Sequence, residues 1–490
     1  MKAWAKSLEK PAVEFSETQL TLLSGKIPDG LRGSLYRNGP GRLERGKQKV
    51  GHWFDGDGAV LAVHFHDKGV SATYRYVQTA GYQQESAANQ YLFPNYGMNA
   101  PGFFWNNWGK EVKNAANTSV LALPDKLLAL WEGGFPHKLD LQSLETLGLD
   151  NLSSLQAKET FSAHPKLDLS RGEIFNFGVT ISAKVSLNLY KSDSTGQIIQ
   201  KNTFELDRLS LLHDFVLAGQ YLVFFVPPIK ADKLSILLGF KTFSDAMQWQ
   251  PELGTRILIF ERDSLQLVSE SVTDSWFQWH FANGCVNDQG NLEIVFVRYD
   301  DFKTNQFLKE VATGETETLA IGKLANITIN PLSAKVINQE ILSDLSCDFP
   351  VVSPQLVGQK WQNTFLAVHR PDSDIRREII GLPACYNHST GKLTIAYLEN
   401  NCYGSEPIFV CDGLSPETGW LIVVVYDGNN HSSQVRIYDS QQLEKDPLCC
   451  LQLPSVIPPS FHGTWQEKSE KGAEAISTEK RGFYLENGFL

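Results

Sequence analysis

Phe161-Ser162-Ala163-His164-Pro165 decides the reading, because three later histidines sit in similarly apolar or aromatic company. They are His213 in Leu211-Leu212-His213-Asp214-Phe215, His280 in Gln278-Trp279-His280-Phe281-Ala282-Asn283-Gly284, and His462 in Phe461-His462-Gly463-Thr464-Trp465. Successive separations of 49, 67 and 182 residues are far too long for a local metal loop. Only a chain that returns repeatedly to one axis gathers such residues, so the spacing predicts a radial fold with a candidate metal centre on that axis.

Outward from these histidines the chain reads as short strands between turn signals. Leu127-Leu128-Ala129-Leu130-Trp131, Ile174-Phe175-Asn176-Phe177, Tyr221-Leu222-Val223-Phe224-Phe225-Val226, Leu292-Glu293-Ile294-Val295-Phe296-Val297 and Trp420-Leu421-Ile422-Val423-Val424-Val425-Tyr426 are examples. Many such strands argue for an all-β propeller or a large sandwich. Trp53-Phe54-Asp55-Gly56-Asp57-Gly58 before the alternating Ala59 to Phe65 reads as a hairpin, with His64 and His66 in surface or hydrogen-bonding roles. No WD or kelch repeat is visible, so any blades are degenerate.

Two stretches depart from the rhythm. Gln83 to Ala116 is loop material that is unusually apolar, including Phe103-Phe104-Trp105 and Trp108. Leu234-Ser235-Ile236-Leu237-Leu238-Gly239-Phe240-Lys241-Thr242-Phe243 is apolar on most sides. It fits a helix lying in a membrane interface, or a loop helix packed on the propeller face. The expected organisation is an irregular lead-in over residues 1–24, one β domain over 25–466, and a charged tail over 467–490 whose first part, Glu467 to Gly472, reads as disordered.

With 490 residues and a net charge of −11, and with no basic stripe, the chain is not expected to bind nucleic acid. Seven cysteines without CxxC spacing do not form a disulfide framework, which fits a reduced, cytoplasmic compartment. No signal peptide pattern opens the chain, and nothing approaches a membrane-spanning apolar run. The expectation is a soluble or monotopic protein.

Imidazole suits Zn, Cu, Fe and Ni, so four histidines leave the metal open. A ligating histidine normally donates its other ring N–H to a carboxylate, carbonyl or water. Glu132 after Leu130-Trp131, Asp348 before Phe349-Pro350, and Glu406 in Ser405-Glu406-Pro407-Ile408 lie in apolar strings where a lone charge is costly, so they are candidate partners. His52, His137, His369, His388 and His431 read as structural.

The motifs around His164, His213, His280, Glu406 and His462, with Tyr36-Arg37-Asn38-Gly39-Pro40, Phe54-Asp55-Gly56-Asp57-Gly58 and Ala116-Asn117-Thr118, resemble the ordered signature of the carotenoid cleavage oxygenases. The resemblance spans roughly residues 25–466 and runs closest to the apocarotenoid-15,15'-oxygenase branch of cyanobacteria. It implies a seven-bladed β-propeller with a loop and helix dome over the metal-bearing face. It also implies one Fe2+ per chain held by His164, His213, His280 and His462, with O2 as co-substrate and Glu132, Asp348 and Glu406 orienting three of the histidines. Thr118 matches a position beside the vacant coordination site. Trp131 is the best-matched candidate substrate residue, with Phe103, Phe104, Trp279, Trp105, Trp276 and Phe277 weaker ones. The family usually has Glu where Asp348 stands. One methylene fewer predicts a longer bond, a water bridge or a compensating backbone movement, and puts iron affinity in question.

The implied reaction adds both oxygen atoms of O2 across a polyene double bond, most directly at 15,15' of an apocarotenoid, giving retinal and a second carbonyl product. Cleavage at 9,10 and 9',10' of intact carotenoids, polyene isomerisation, and a non-catalytic carotenoid-binding propeller are the alternatives. The substrate is lipophilic, and Leu234 to Phe243 is the expected point of peripheral membrane contact.

Overall fold

A computed structural model describes residues 2–468. Strands dominate it, and each inner strand is covered on both faces. Asp57–His66, for instance, is buried at every position but its last, which explains its nearly continuous apolar run. Outer strands such as Leu267–Thr273 alternate between exposed and half-buried positions, because only one face meets the core.

Strand pairing corrects the seven-bladed expectation. Five sheets of four to six strands stand apart as blades, and the remaining large sheet runs continuously through eight strands. Val216–Ala218 joins Phe281–Val286 in parallel at Ala218 and Gly284. A β-carbon on Gly284 would lie 2.9 Å from Ala218 Cβ, so glycine is what permits this approach. No local pattern in either strand announces a bridge to so distant a partner.

The ring is closed twice. Gly463–Glu467 pairs with Gly33–Arg42 in the first sheet, and Thr21–Gly25 pairs with Cys449–Gln452 in the last. The expected irregular lead-in is therefore corrected: Phe15–Gln19 and Thr21–Gly25 are edge strands, and Trp4 is fully buried. Satisfying an open sheet edge is what orders these residues. Of the expected charged tail, residues 469–490 lie outside the described residues.

Short helices and loops form a dome over one face. Helix Lys303–Val311 turns Thr304, Phe307, Leu308 and Val311 toward a central cavity, the i, i+3, i+4, i+7 spacing of one helical face. Helix Ala80–Ala88 is tied down by a buried ionic quartet. Lys113 Nζ lies 2.5 Å from Asp57 Oδ1 and 2.6 Å from Glu85 Oε2, and Arg45 Nη2 lies 2.7 Å from Asp57 Oδ2. The apolar stretch from Leu234 to Phe243 is not one helix. Lys233–Leu237 ends at Gly239, whose φ of +73° is the left-handed conformation that terminates helices. All seven cysteines are free. Among the described residues, no helix is long and apolar enough to cross a membrane.

Candidate metal centre

Each of the four histidines stands just before a strand that starts beside the axis. His280 and His462 immediately precede Phe281–Val286 and Gly463–Glu467, while His164 and His213 lead into Lys166–Asp168 and Val216–Ala218. The same placement in successive sheets turns long sequence separations into one cluster. All four are buried, and one ring nitrogen from each lies within 4.8 Å of the others. His164 Nε2 is 3.0 Å from His213 Nε2, which is 3.3 Å from His280 Nε2.

This donor set fits a metal ion. Four neutral imidazoles aimed at one point have no internal partners for their lone pairs, and a cation supplies them. Burial, followed by the three facing imidazoles, pushes His164 well below its ordinary pKa and so favours the ligating neutral ring. Burial likewise lowers His462. In His280 the same burial effect is outweighed by Asp348, and the pKa rises.

The outward-facing nitrogens meet the three expected acids. His462 Nδ1 donates to Glu406 Oε1 at 2.8 Å, and Glu406 Oε2 accepts from the Gly463 N–H at 2.9 Å. Arg37 Nη1 lies 3.7 Å from the same carboxylate and donates to the Glu406 carbonyl at 2.8 Å. His213 Nδ1 lies against Glu132 Oε1 without hydrogen-bond alignment. His280 Nδ1 donates to Asp348 Oδ1 at 2.7 Å. Burial alone would raise the Asp348 and Glu406 carboxyls, but the imidazoles facing them hold both below the usual carboxylate range.

The shorter Asp348 thus makes a direct bond of ordinary length. Pairing with Asn363–Val368 slips between Asp348 and Val351, and Phe349 takes a φ of +54°, rare for a bulky residue. A hydroxyl that no motif flagged completes the arrangement: Tyr299 Oη donates to Asp348 Oδ2 at 2.7 Å.

A largely apolar cavity opens on the histidines. Phe54, Tyr96, Trp279, Phe349, Phe461 and helix residues Phe307 and Leu308 line it, beside Thr118 and Glu132. Thr118 Oγ1 donates to Asn117 Oδ1 at 3.1 Å. Among the described residues, no lysine or arginine faces this cavity. Trp279 lies edge-on to His213 at 4.9 Å.

The other candidate aromatics fall elsewhere. Phe103 and Phe104 are corrected as cavity residues, since the former is 67% exposed and both belong to the surface of the dome. Trp105 accompanies them there. Trp131 is half-buried and stacks across Gly133 outside the cavity lining, and Trp276 and Phe277 fill the core between strands. Phe54 and Phe461 escaped notice although both stand inside quoted motifs, because an aromatic in such a motif reads first as packing.

Comparison with known proteins gives a consistent result. The family model described as retinal pigment epithelial membrane protein matches residues 8–467. Apocarotenoid-15,15'-oxygenase of Synechocystis is 31% identical over 460 residues, covering 91% of this chain and 92% of that protein. Isoeugenol monooxygenase of Pseudomonas nitroreducens is 25% identical, with 90% and 93% covered. The solved structure of cobalt-substituted Synechocystis apocarotenoid oxygenase superposes with a TM-score of 0.86 at 28% identity, covering 95% of this chain and 98% of that one.

Proposed function

The chain belongs to the retinal pigment epithelial membrane protein family of carotenoid oxygenases, and from that premise we propose that it is an Fe2+ dioxygenase cleaving apocarotenoids at the 15,15' double bond. The products are retinal and a second carbonyl compound. The observation that carries this reading is the opening of the four-histidine cluster onto an apolar, aromatic cavity free of lysine and arginine among the described residues. A polyene offers little to hydrogen-bond and needs no cationic partner.

His164, His213, His280 and His462 would hold the ion through Nε2. Bound ferrous iron supplies the activation of O2. The protein's own part is orientation and exclusion. Glu406 and Asp348 fix the His462 and His280 rings by accepting their Nδ1 protons, which keeps the inner nitrogens free of protons. Trp279, Phe54 and Phe461 exclude water and line the space for a polyene, and an aromatic ring face favours an electron-poor one by about 0.5–2 kcal/mol. Thr118, on the cavity wall, narrows the approach of small molecules to the centre.

A lipophilic substrate also needs a route from its source, and the dome surface offers one. Leu234, Leu237 and Phe240 project beside Phe103, Phe104, Trp105 and Trp108, and all are exposed. Two distant segments are joined here: Phe104 and Phe240 ring centroids lie 5.0 Å apart, and Trp108 Nε1 donates to the Leu238 carbonyl at 3.0 Å. This patch docks on a membrane surface as a shallow apolar foot. Free cysteines fit a reducing, cytoplasmic setting.

Incubation of the anaerobically iron-loaded protein with a β-apocarotenal under 18O2 tests the reaction. Labelled retinal and a labelled second carbonyl are expected. Products cut at 9,10, a geometric isomer, or unchanged substrate would contradict the assignment.

A further inference from the structure

We propose that Tyr299 is a positioning residue of the metal centre, acting through Asp348 to fix the His280 ring. The inference rests on the four-histidine metal reading and deepens it.

The three acids are held in different ways. Glu406 is secured by the Gly463 N–H and by Arg37. Asp348 has one oxygen, Oδ1, shared between His280 Nδ1 at 2.7 Å and the Phe349 N–H at 2.8 Å. Its other oxygen has the Tyr299 hydroxyl as its side-chain donor among the described residues. Without that hydroxyl the carboxylate is free to turn about its last bond, and its hold on the imidazole depends on one oxygen.

Tyr299 is also tied to the histidine it serves. It ends strand Leu292–Tyr299, and its backbone exchanges hydrogen bonds with Phe277, three residues before His280, at 2.8 and 2.9 Å. Two residues earlier in the same strand, the Val297 N–H donates to the His280 carbonyl at 3.0 Å. A closed circuit results: His280 ring, Asp348, Tyr299 hydroxyl, Tyr299 backbone, and the backbone leading back to His280. Because the circuit starts and ends on one residue, it fixes the ring against its own main chain. Tyr299 and Asp348 are both buried, at the wall of the largely apolar cavity.

Ferrous iron affinity, measured anaerobically by chelator competition, tests the proposal in four proteins: the natural sequence, Tyr299→Phe, Asp348→Ala, and the double variant. Tyr299→Phe is expected to weaken binding about 10- to 100-fold, the usual range for such outer partners. In the Asp348→Ala background, removal of the same hydroxyl is expected to change affinity less than about twofold, because its route to the ring is gone. The visible spectrum of bound Co2+ should change with Tyr299→Phe and not change further between Asp348→Ala and the double variant.

Equal losses in both backgrounds, or no loss in either, would overturn the role of Tyr299 while leaving the metal reading intact. A natural-sequence protein that binds no iron would overturn both. Loss of cooperative melting in metal-free Tyr299→Phe would also overturn it, by making the hydroxyl a general prop of the fold.

Discussion

His280 Nδ1 and Asp348 Oδ1 are 2.7 Å apart, both buried, and the aspartate stands at a strand irregularity beside the left-handed backbone of Phe349. The direct bond matches this site to an aspartate, with no gap left for a further methylene. Asp348→Glu, which introduces the longer acid into a site adjusted for the shorter one, should lower iron affinity and melting temperature, by about 1–3 kcal/mol in stability for an overpacked position. Calorimetry and metal competition on the purified variant check this. A glutamate variant that binds iron more tightly would contradict the match.

Lys113 stands between Asp57 and Glu85 in the dome, all three buried. Its removal leaves Arg45 as the one cation paired with the two carboxylates among the described residues. Lys113→Met should cost about 3–5 kcal/mol, the range for breaking a buried pair. Urea denaturation of the metal-free protein measures it.

His137 sets a pH dependence away from the metal centre. Burial lowers its pKa to about 4, from an ordinary value of 6.5. The folded state thus prefers the neutral ring, and its contribution to stability is full above about 6.5 and lost as pH falls toward 4. At about 1.4 kcal/mol per pH unit, the contribution is on the order of 3 kcal/mol. Melting temperature should fall between pH 6.5 and 4, and less steeply in His137→Phe. Identical slopes for the two proteins would remove His137 from the account.

The exposed foot predicts a membrane phenotype separable from folding. Leu237→Ser with Phe240→Ser should reduce sedimentation with phosphatidylcholine liposomes severalfold and leave the melting temperature within about 1 °C, since both side chains are exposed and surface changes cost little. Undiminished association would place the docking surface elsewhere.

What the sequence disclosed and what it hid follow one physical line. Each of His164, His213, His280 and His462 carries an aromatic or apolar flank, yet none stands out alone from a structural histidine; their order and the motifs around them mark the set, and the fold brings the four together. Acids in apolar strings, such as Glu406, announce themselves by the cost of burying an unpaired charge. Tyr299 has no such mark: it ends a strand rich in Val, Ile and Phe, and only the fold reveals that its hydroxyl meets Asp348. The bridge at Ala218 and Gly284 is likewise a product of three dimensions, which is why the expectation of seven blades gave way to five blades and one continuous sheet. Phe103 and Phe104 read as candidate substrate residues because they are aromatic, yet aromatic rings serve an exposed face equally well.

The central claim is that four widely separated histidines hold one metal ion. Metal analysis after anaerobic loading with ferrous iron, on the natural sequence and on His213→Ala, tests it most directly. We expect about one iron per chain in the first and at least a tenfold loss in the second, with both proteins melting cooperatively. Stoichiometric iron in a folded His213→Ala protein, or none in the natural one, would contradict the account.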